Sequence, residues 1–84
     1  MLLTPQLAQR WLDRELSLGH IHVIDTAKVE AFSRALLADE FRPGSPILYG
    51  PIDGVIGLLD GRHRLRAMVA ADVGLRVTVA VQPC

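Results

Sequence analysis

Five consecutive apolar residues, Val55-Ile56-Gly57-Leu58-Leu59, run straight into Asp60-Gly61 and then into a stretch that carries Arg62, His63, Arg64 and Arg66. A short apolar run bounded by turn residues fits a strand covered on both faces, so the pattern predicts a central strand at 55–59. The stretch after Gly61 places Leu65, Met68, Val69 and Asp72 on one helical face, of which only Asp72 is polar, and Gly74 offers a stop. A strand passing directly into a helix is the unit of a small α/β arrangement.

The rest of the chain supplies the other elements. Thr4 followed by Pro5 opens a first helix, because the hydroxyl gives one orphan N–H a partner and the proline removes another. Leu7, Ala8, Trp11, Leu12 and Leu16 recur at helical spacing, and Gly19 is a natural end. His20 to Ile24 alternates weakly, as in a short strand. Asp25 and Thr26 offer N-caps for a second helix whose apolar stripe is Val29, Phe32, Leu36 and Leu37 and which ends near Glu40. The two prolines and glycine of Phe41 to Pro46 read as a loop. Ile47 to Tyr49 reads as another short strand, separated from 55–59 by Gly50 to Gly54, where Asp53-Gly54 is a turn signal. Arg76 to Val81 reads as a β-branched last strand ending at Pro83. The expectation is one compact α/β unit over residues 1–84, with a small mixed sheet and about three helices.

Composition narrows the function classes. With 84 residues there is room for one small domain, and half of the residues are apolar. One cysteine, Cys84, cannot form an internal disulfide, so a reducing compartment is expected. No run reaches the roughly 18 apolar residues of a membrane span, and Met1 to Pro5 lacks the blocks of a signal peptide, so a cytoplasmic protein without membrane contact is expected. The formal net charge of zero excludes binding to nucleic acid by bulk basicity. That balance hides an excess: Asp60 to Cys84 holds four arginines and two aspartates, and three of the arginines lie between 62 and 66.

A helix start exposes unpaired N–H groups and a partial positive charge, so sequences normally place acidic residues there. Here Arg62, His63 and Arg64 occupy the first turn. A bound anion is the simplest compensation, with Gly61 allowing close approach of the backbone and the arginines adding forked donors matched to phosphate oxygens. Gly61, Arg62, His63 and Arg64 are therefore the phosphate-binding candidates. The plainer alternative makes Asp60 an N-cap, Gly61 a turn residue, and the arginines a solvated face with Arg64 paired to a carboxylate. For proton transfer or metal-held hydrolysis the local candidates are Asp60 and His63, joined by Asp53 or Asp25 if folding brings them near. This spacing does not make a metal site by itself. His20 and His22 read as surface or loop residues.

At these residues the chain resembles the ParB/sulfiredoxin-like superfamily, and within it the small phage-associated ParB-like nuclease domains. The box is Leu58-Leu59-Asp60-Gly61-Arg62-His63-Arg64-Leu65-Arg66-Ala67, supported by the leading helix from Thr4 to Leu12, and the likeness extends from Thr4 to Val81. The resemblance implies the superfamily's compact fold and a phosphate pocket at the mouth of the box, where Gly61, Arg62, His63 and Arg64 would contact a nucleotide or a nucleic-acid phosphate. It does not imply sulfinic acid reduction, because sulfiredoxins need a cysteine where this chain has Arg62. The CTP-binding motifs and DNA-reading helices of chromosome-partition members lie beyond a stretch of this length. Asp60 could correspond to the carboxylate base of the related free-serine kinases, although no second segment here holds a serine.

Three functions stand as expectations. The favoured one is a module that binds a nucleotide or a nucleic-acid backbone through phosphate. The enzymatic alternative is a nuclease or nucleotide hydrolase, with a divalent metal as cofactor. The third is a non-catalytic interaction module meeting a second copy or another protein, with Trp11, Phe32, Phe41 and Tyr49 as candidates for an exposed patch.

Overall fold

The computed structural model describes residues 1–20, 23–39 and 46–82. Among them it has a mixed α/β arrangement of three helices and two small sheets: β1 (Leu2–Leu3), α1 (Pro5–Ser17), α2 (Thr26–Leu37), β2 (Ile47–Ile52), β3 (Val55–Asp60), α3 (Arg62–Ala71), β4 (Leu75–Arg76) and β5 (Val79–Val81). No described helix is long and apolar enough to cross a membrane.

Each helix starts and stops for a local reason. The Thr4 hydroxyl accepts from the Leu7 N–H, with Pro5 opening α1, and the Asp25 carboxylate accepts from the Ala27 and Lys28 N–H groups at the start of α2. At the end of α1 the Gly19 N–H reaches the Leu16 carbonyl and the His20 N–H reaches the Glu15 carbonyl, with Gly19 in the left-handed region at φ +77°. This is the double bond pattern by which a left-handed residue satisfies the last helical carbonyls. The other two helices close on Asp39 and Asp72, each at φ +56°. Asp72, rather than Gly74, therefore ends α3. Aspartate tolerates this region because its short polar side chain bonds locally. Leu37, expected on the buried stripe of α2, is exposed, whereas Leu36 is buried.

The three-stranded sheet runs β3-β2-β5, antiparallel between β2 and β3 and parallel between β2 and β5. Asp53 and Gly54 both have positive φ, which suits the tight two-residue turn joining β2 to β3. The central strand is thus β2, and β3, expected at the centre, lies at an edge. Val55 and Ile56 are exposed, and only Gly57 and Leu58 are fully covered. The outward edge of β3 is nonetheless occupied, because Arg14 donates to the Ile56 carbonyl at 2.9 Å and Glu15 accepts from the Leu58 N–H at 2.9 Å. Two side chains of α1 replace a neighbouring strand, so a continuous apolar run could form at an edge.

The expected last strand is divided. Leu75 and Arg76 pair antiparallel with Leu3 and Leu2, and Val79 to Val81 pair parallel with Ile47 to Tyr49. The chain changes sheets at Val77-Thr78, where the Val77 N–H reaches the Met1 carbonyl and the Ile47 N–H reaches the Thr78 carbonyl. Val77 is buried at this crossing. The strand at Leu2–Leu3 is unanticipated, being too short for alternation to register. Of the short strand expected at 20–24, the described residues His20, Val23 and Ile24 are not in a strand, and 21–22 lie outside the described residues. The 41–45 part of the expected loop and Cys84 lie outside them too.

α3 lies between α1 and α2 and packs against both, so its buried residues Leu65, Ala67 and Met68 form the middle of the core with Leu3, Ile47 and Leu58. Trp11 meets Tyr49 edge-on, with ring centroids 5.8 Å apart and planes at 84°. Both rings, like Phe32, pack against this core and are not free on the surface. Phe41 lies outside the described residues.

Candidate functional site

The start of α3 is shaped by the strand before it. Tyr49 pairs with Leu58 but Leu48 pairs with Asp60, so one extra residue of β3 bulges beside β2 just ahead of the box. Bulges of this kind bend a strand and redirect the residues beyond them. Gly61 then turns the chain at φ +118°, and a methyl group there would sit 2.6 Å from Ile47 Cδ1, so both conformation and space call for glycine. Gly61 is also the N-cap of α3. It offers no side-chain cap, and the first turn contains no acidic residue. The N-cap residue of α3 thus gives its first N–H groups no side-chain acceptor of the kind that Thr4 and Asp25 give the other two helices.

The sequence-predicted residues take distinct positions around this turn. Arg64 is 9% exposed, and its Nη2 donates to the Pro46 carbonyl at 3.0 Å and lies 3.7 Å from Asp60 Oδ2. It braces the approach to β2 against the end of β3. The Asp60 side chain is largely exposed and is not an N-cap. His63 is half-buried, and its Nε2 accepts from the Asp25 N–H at 3.1 Å, which ties the start of α3 to the start of α2. An acceptor Nε2 requires the neutral ring. Burial, and after it the Lys28 and Arg62 charges, hold the His63 pKa below its ordinary value, against the opposing pull of Asp25 and Asp60. Asp53 lies at the far end of β3, about 20 Å of strand away at ~3.3 Å per residue. Among the described residues no group of three or more His, Cys, Asp or Glu side chains is placed to hold a metal ion.

Arg62 is half-buried, and its Nε is a buried donor without a hydrogen-bond partner among the described residues. Leaving such a donor unmatched costs roughly 1–3 kcal/mol. Arg62 and Arg66 line a cleft of about 70 Å³ between α1 and α3, closed on one side by Leu12 and Leu16.

The cleft has a polar end that the sequence pattern does not announce. Glu15 is 3% exposed, and besides accepting from Leu58 its Oε2 lies 2.6 Å from His20 Nδ1, while Arg14 Nη1 approaches Oε1 at 3.4 Å. His20, expected as a surface or loop residue, has a side chain only 8% exposed. The end of α1 explains this, because the left-handed Gly19 folds His20 back onto the helix that carries Glu15. The ring fits because residue 57 is glycine; a methyl group there would lie 2.6 Å from His20 Cε1. Glu15 also acts on Tyr49, whose pKa is raised first by burial and then by the carboxylate, with Arg14 opposing. A signal for Glu15 does exist in the sequence: it falls one turn after Trp11 on the stripe begun by Ala8, and a histidine stands five residues later. His22 lies outside the described residues.

Comparison with family models, curated proteins and solved structures finds no match to this chain.

Proposed function

We propose that this chain is a small ParB-like domain that binds a phosphate-bearing ligand, a nucleotide or a nucleic-acid backbone, at the start of α3. The observation that carries this reading is a helix start with a glycine N-cap, no side-chain capping bond and no acidic residue in its first turn, whose first two side chains are Arg62 and His63. Phosphate oxygens are the kind of acceptor such a helix start takes, and the helix dipole adds to the attraction. Arg62 is the side chain suited to direct contact, with its buried Nε lacking an acceptor among the described residues. Gly61 and His63 contribute through the backbone, since the His63 ring is engaged with Asp25. Arg64 acts as a positioning residue through the Pro46 carbonyl. The resemblance of Asp60-Gly61-Arg62-His63-Arg64 to the ParB-like box supports the same placement. The neutral net charge leaves few cationic contacts, so affinity for a polymer backbone should be modest.

The test is an amide-resolved NMR titration with inorganic phosphate, nucleotides and a short DNA duplex at low and moderate salt. Shifts centred on Gly61 to Arg64, weakened in Arg62→Ala, are expected. For DNA the salt slope should stay at or below about 3 units, near one per phosphate contact. If none of these ligands moves those amides, the proposal fails.

A further inference from the structure

We propose that the outer face of α3 is a docking groove for an acidic amphipathic helix of a partner protein, with Arg66 as its charged anchor. The inference concerns the side of α3 and does not depend on phosphate binding at its start. Among the described residues α1 and α2 each pack on α3 and hardly meet one another, which leaves a trough between them with α3 as its floor. Three adjoining hollows mark its course. The second, of about 330 Å³, shares Leu12, Leu16 and Arg66 with the 70 Å³ cleft beside Arg62. The third, of about 350 Å³, shares Val29 and Ala70 with the second and ends at Glu30 and Arg34. On the floor Arg62, Arg66 and Ala70 form a stripe at four-residue spacing, ~12 Å long at ~1.5 Å per residue, opposite the buried Arg64 and Met68.

The walls are aliphatic, and Leu16 is 61% exposed on one of them. An exposed leucine alone carries little meaning. Arg66 decides what the trough accepts: it is exposed, lines the first two hollows among those aliphatic side chains, and has no ion pair or hydrogen bond among the described residues. Arg62 stands one turn away, while Glu15, the acid at this end, is turned to the Leu58 N–H and His20. On the α1 side Asp13 is held by Gln9, and at the far end Glu30 offsets Arg34, so the cationic excess is centred on Arg62 and Arg66. The occupant must bring apolar side chains for the walls and a carboxylate for Arg66. A second copy of this chain is a poor match, because in a twofold pair this face meets itself and sets Arg66 against Arg66. A free long-chain carboxylate has the right groups but would keep one side in water, since Leu16, Arg66 and Ala70 are all exposed. A helix satisfies its own backbone, lays residues i, i+3 or i+4 and i+7 along such a trough, and carries acids beside that stripe within reach of Arg66.

The full chain is used to select from a displayed library of helical peptides with randomised surface positions, and the tightest binder is then titrated with amide-resolved NMR. Selection should enrich aliphatic residues at helical spacing flanked by Asp or Glu, and the peptide should shift the amides of Leu16, Arg66 and Ala70. Arg66→Glu should weaken it about tenfold or more, and a twin peptide with Lys at each acidic position should bind that variant better than the parent. Leu16→Asn should weaken the peptide about tenfold through lost apolar burial. Both positions are exposed, so the variants should melt as the parent does. The inference is overturned if no selected peptide binds better than its scrambled form, or if acidic and basic twins bind the parent alike. It is equally overturned if decanoate moves these amides and no peptide does, or if they shift with protein concentration alone, which would make the occupant a second copy. Any of these results leaves the phosphate reading, which is tested at the Gly61 to Arg64 amides, as it stands.

Discussion

Replacing Glu15 with alanine should be among the most damaging single changes in this chain. The carboxylate is 3% exposed and holds the Leu58 N–H at 2.9 Å and His20 Nδ1 at 2.6 Å. Orphaning a buried donor such as the Leu58 N–H costs about 1–3 kcal/mol, and losing a bond to a charged group about 1.5–3 kcal/mol. Together these give a loss of roughly 4 kcal/mol. A chain of 84 residues at ~0.05–0.15 kcal/mol per residue has only about 4–13 kcal/mol in all. With ~4–8 °C per kcal/mol at this size, the melting temperature should drop by about 15–30 °C. Thermal and urea denaturation monitored by circular dichroism would measure it, with exposed Glu30→Ala as a control expected within about 0.5 kcal/mol. A loss below about 1 kcal/mol for Glu15→Ala would refute the reasoning, since the pairing would then contribute no more than an exposed contact.

The same geometry gives three further outcomes. Gly57→Ala places a methyl group 2.6–2.7 Å from the His20 ring and 2.9 Å from Ile52 Cδ1, so it should cost about 1–3 kcal/mol of stability and displace the His20 ring signals in an NMR spectrum. Arg64→Met keeps the buried stem and removes the bond to the Pro46 carbonyl, for an expected loss of about 1.5–3 kcal/mol in urea denaturation. The pKa of His63 is lowered in the folded chain, so between that value and the unfolded one near 6.5 the unfolded chain binds more protons and stability falls as the pH falls. The His63 contribution should be intact above that window and fade through it. His63→Gln should flatten the dependence in denaturation curves taken at about pH 5.5 and about pH 7.5.

Much of the fold is legible in the sequence because its signals are local. Thr4-Pro5, Asp25 and Asp53-Gly54 each fix a cap or turn through their own side chains or dihedrals, and each lies where the sequence pattern predicts it. The errors concern partners distant in sequence. An apolar run at 55–59 signals covered backbone, and nothing in five residues says whether a strand or the side chains of Arg14 and Glu15 do the covering. The β-branched run at 76–81 signals extended chain but not that Val77 and Thr78 hand it from one sheet to the other. Around the candidate site, the concentration of cations at 62–66 is visible in the sequence. Their division of labour is not, since whether Arg64 faces Pro46 or solvent depends on a strand approached from the far side of a loop. His20 escapes notice for a related reason, because it looks like a surface residue until Gly19 reverses the chain, and the charge of Glu15 masks its place on the stripe of Ala8 and Trp11.

The occupation of the β3 edge by α1 bears on how this chain behaves at high concentration. Val55 to Leu59 is uncharged, β-prone and free of proline, the kind of segment that templates intermolecular cross-strand pairing when its backbone is open. In the folded chain the Ile56 carbonyl and the Leu58 N–H are taken by Arg14 and Glu15, so an approaching strand finds those two positions filled. The first event on a route to aggregation would then be detachment of one helix from the sheet, with no need for global unfolding. Solution lifetime would be governed by how often α1 lifts, a local fluctuation that the overall melting temperature does not report.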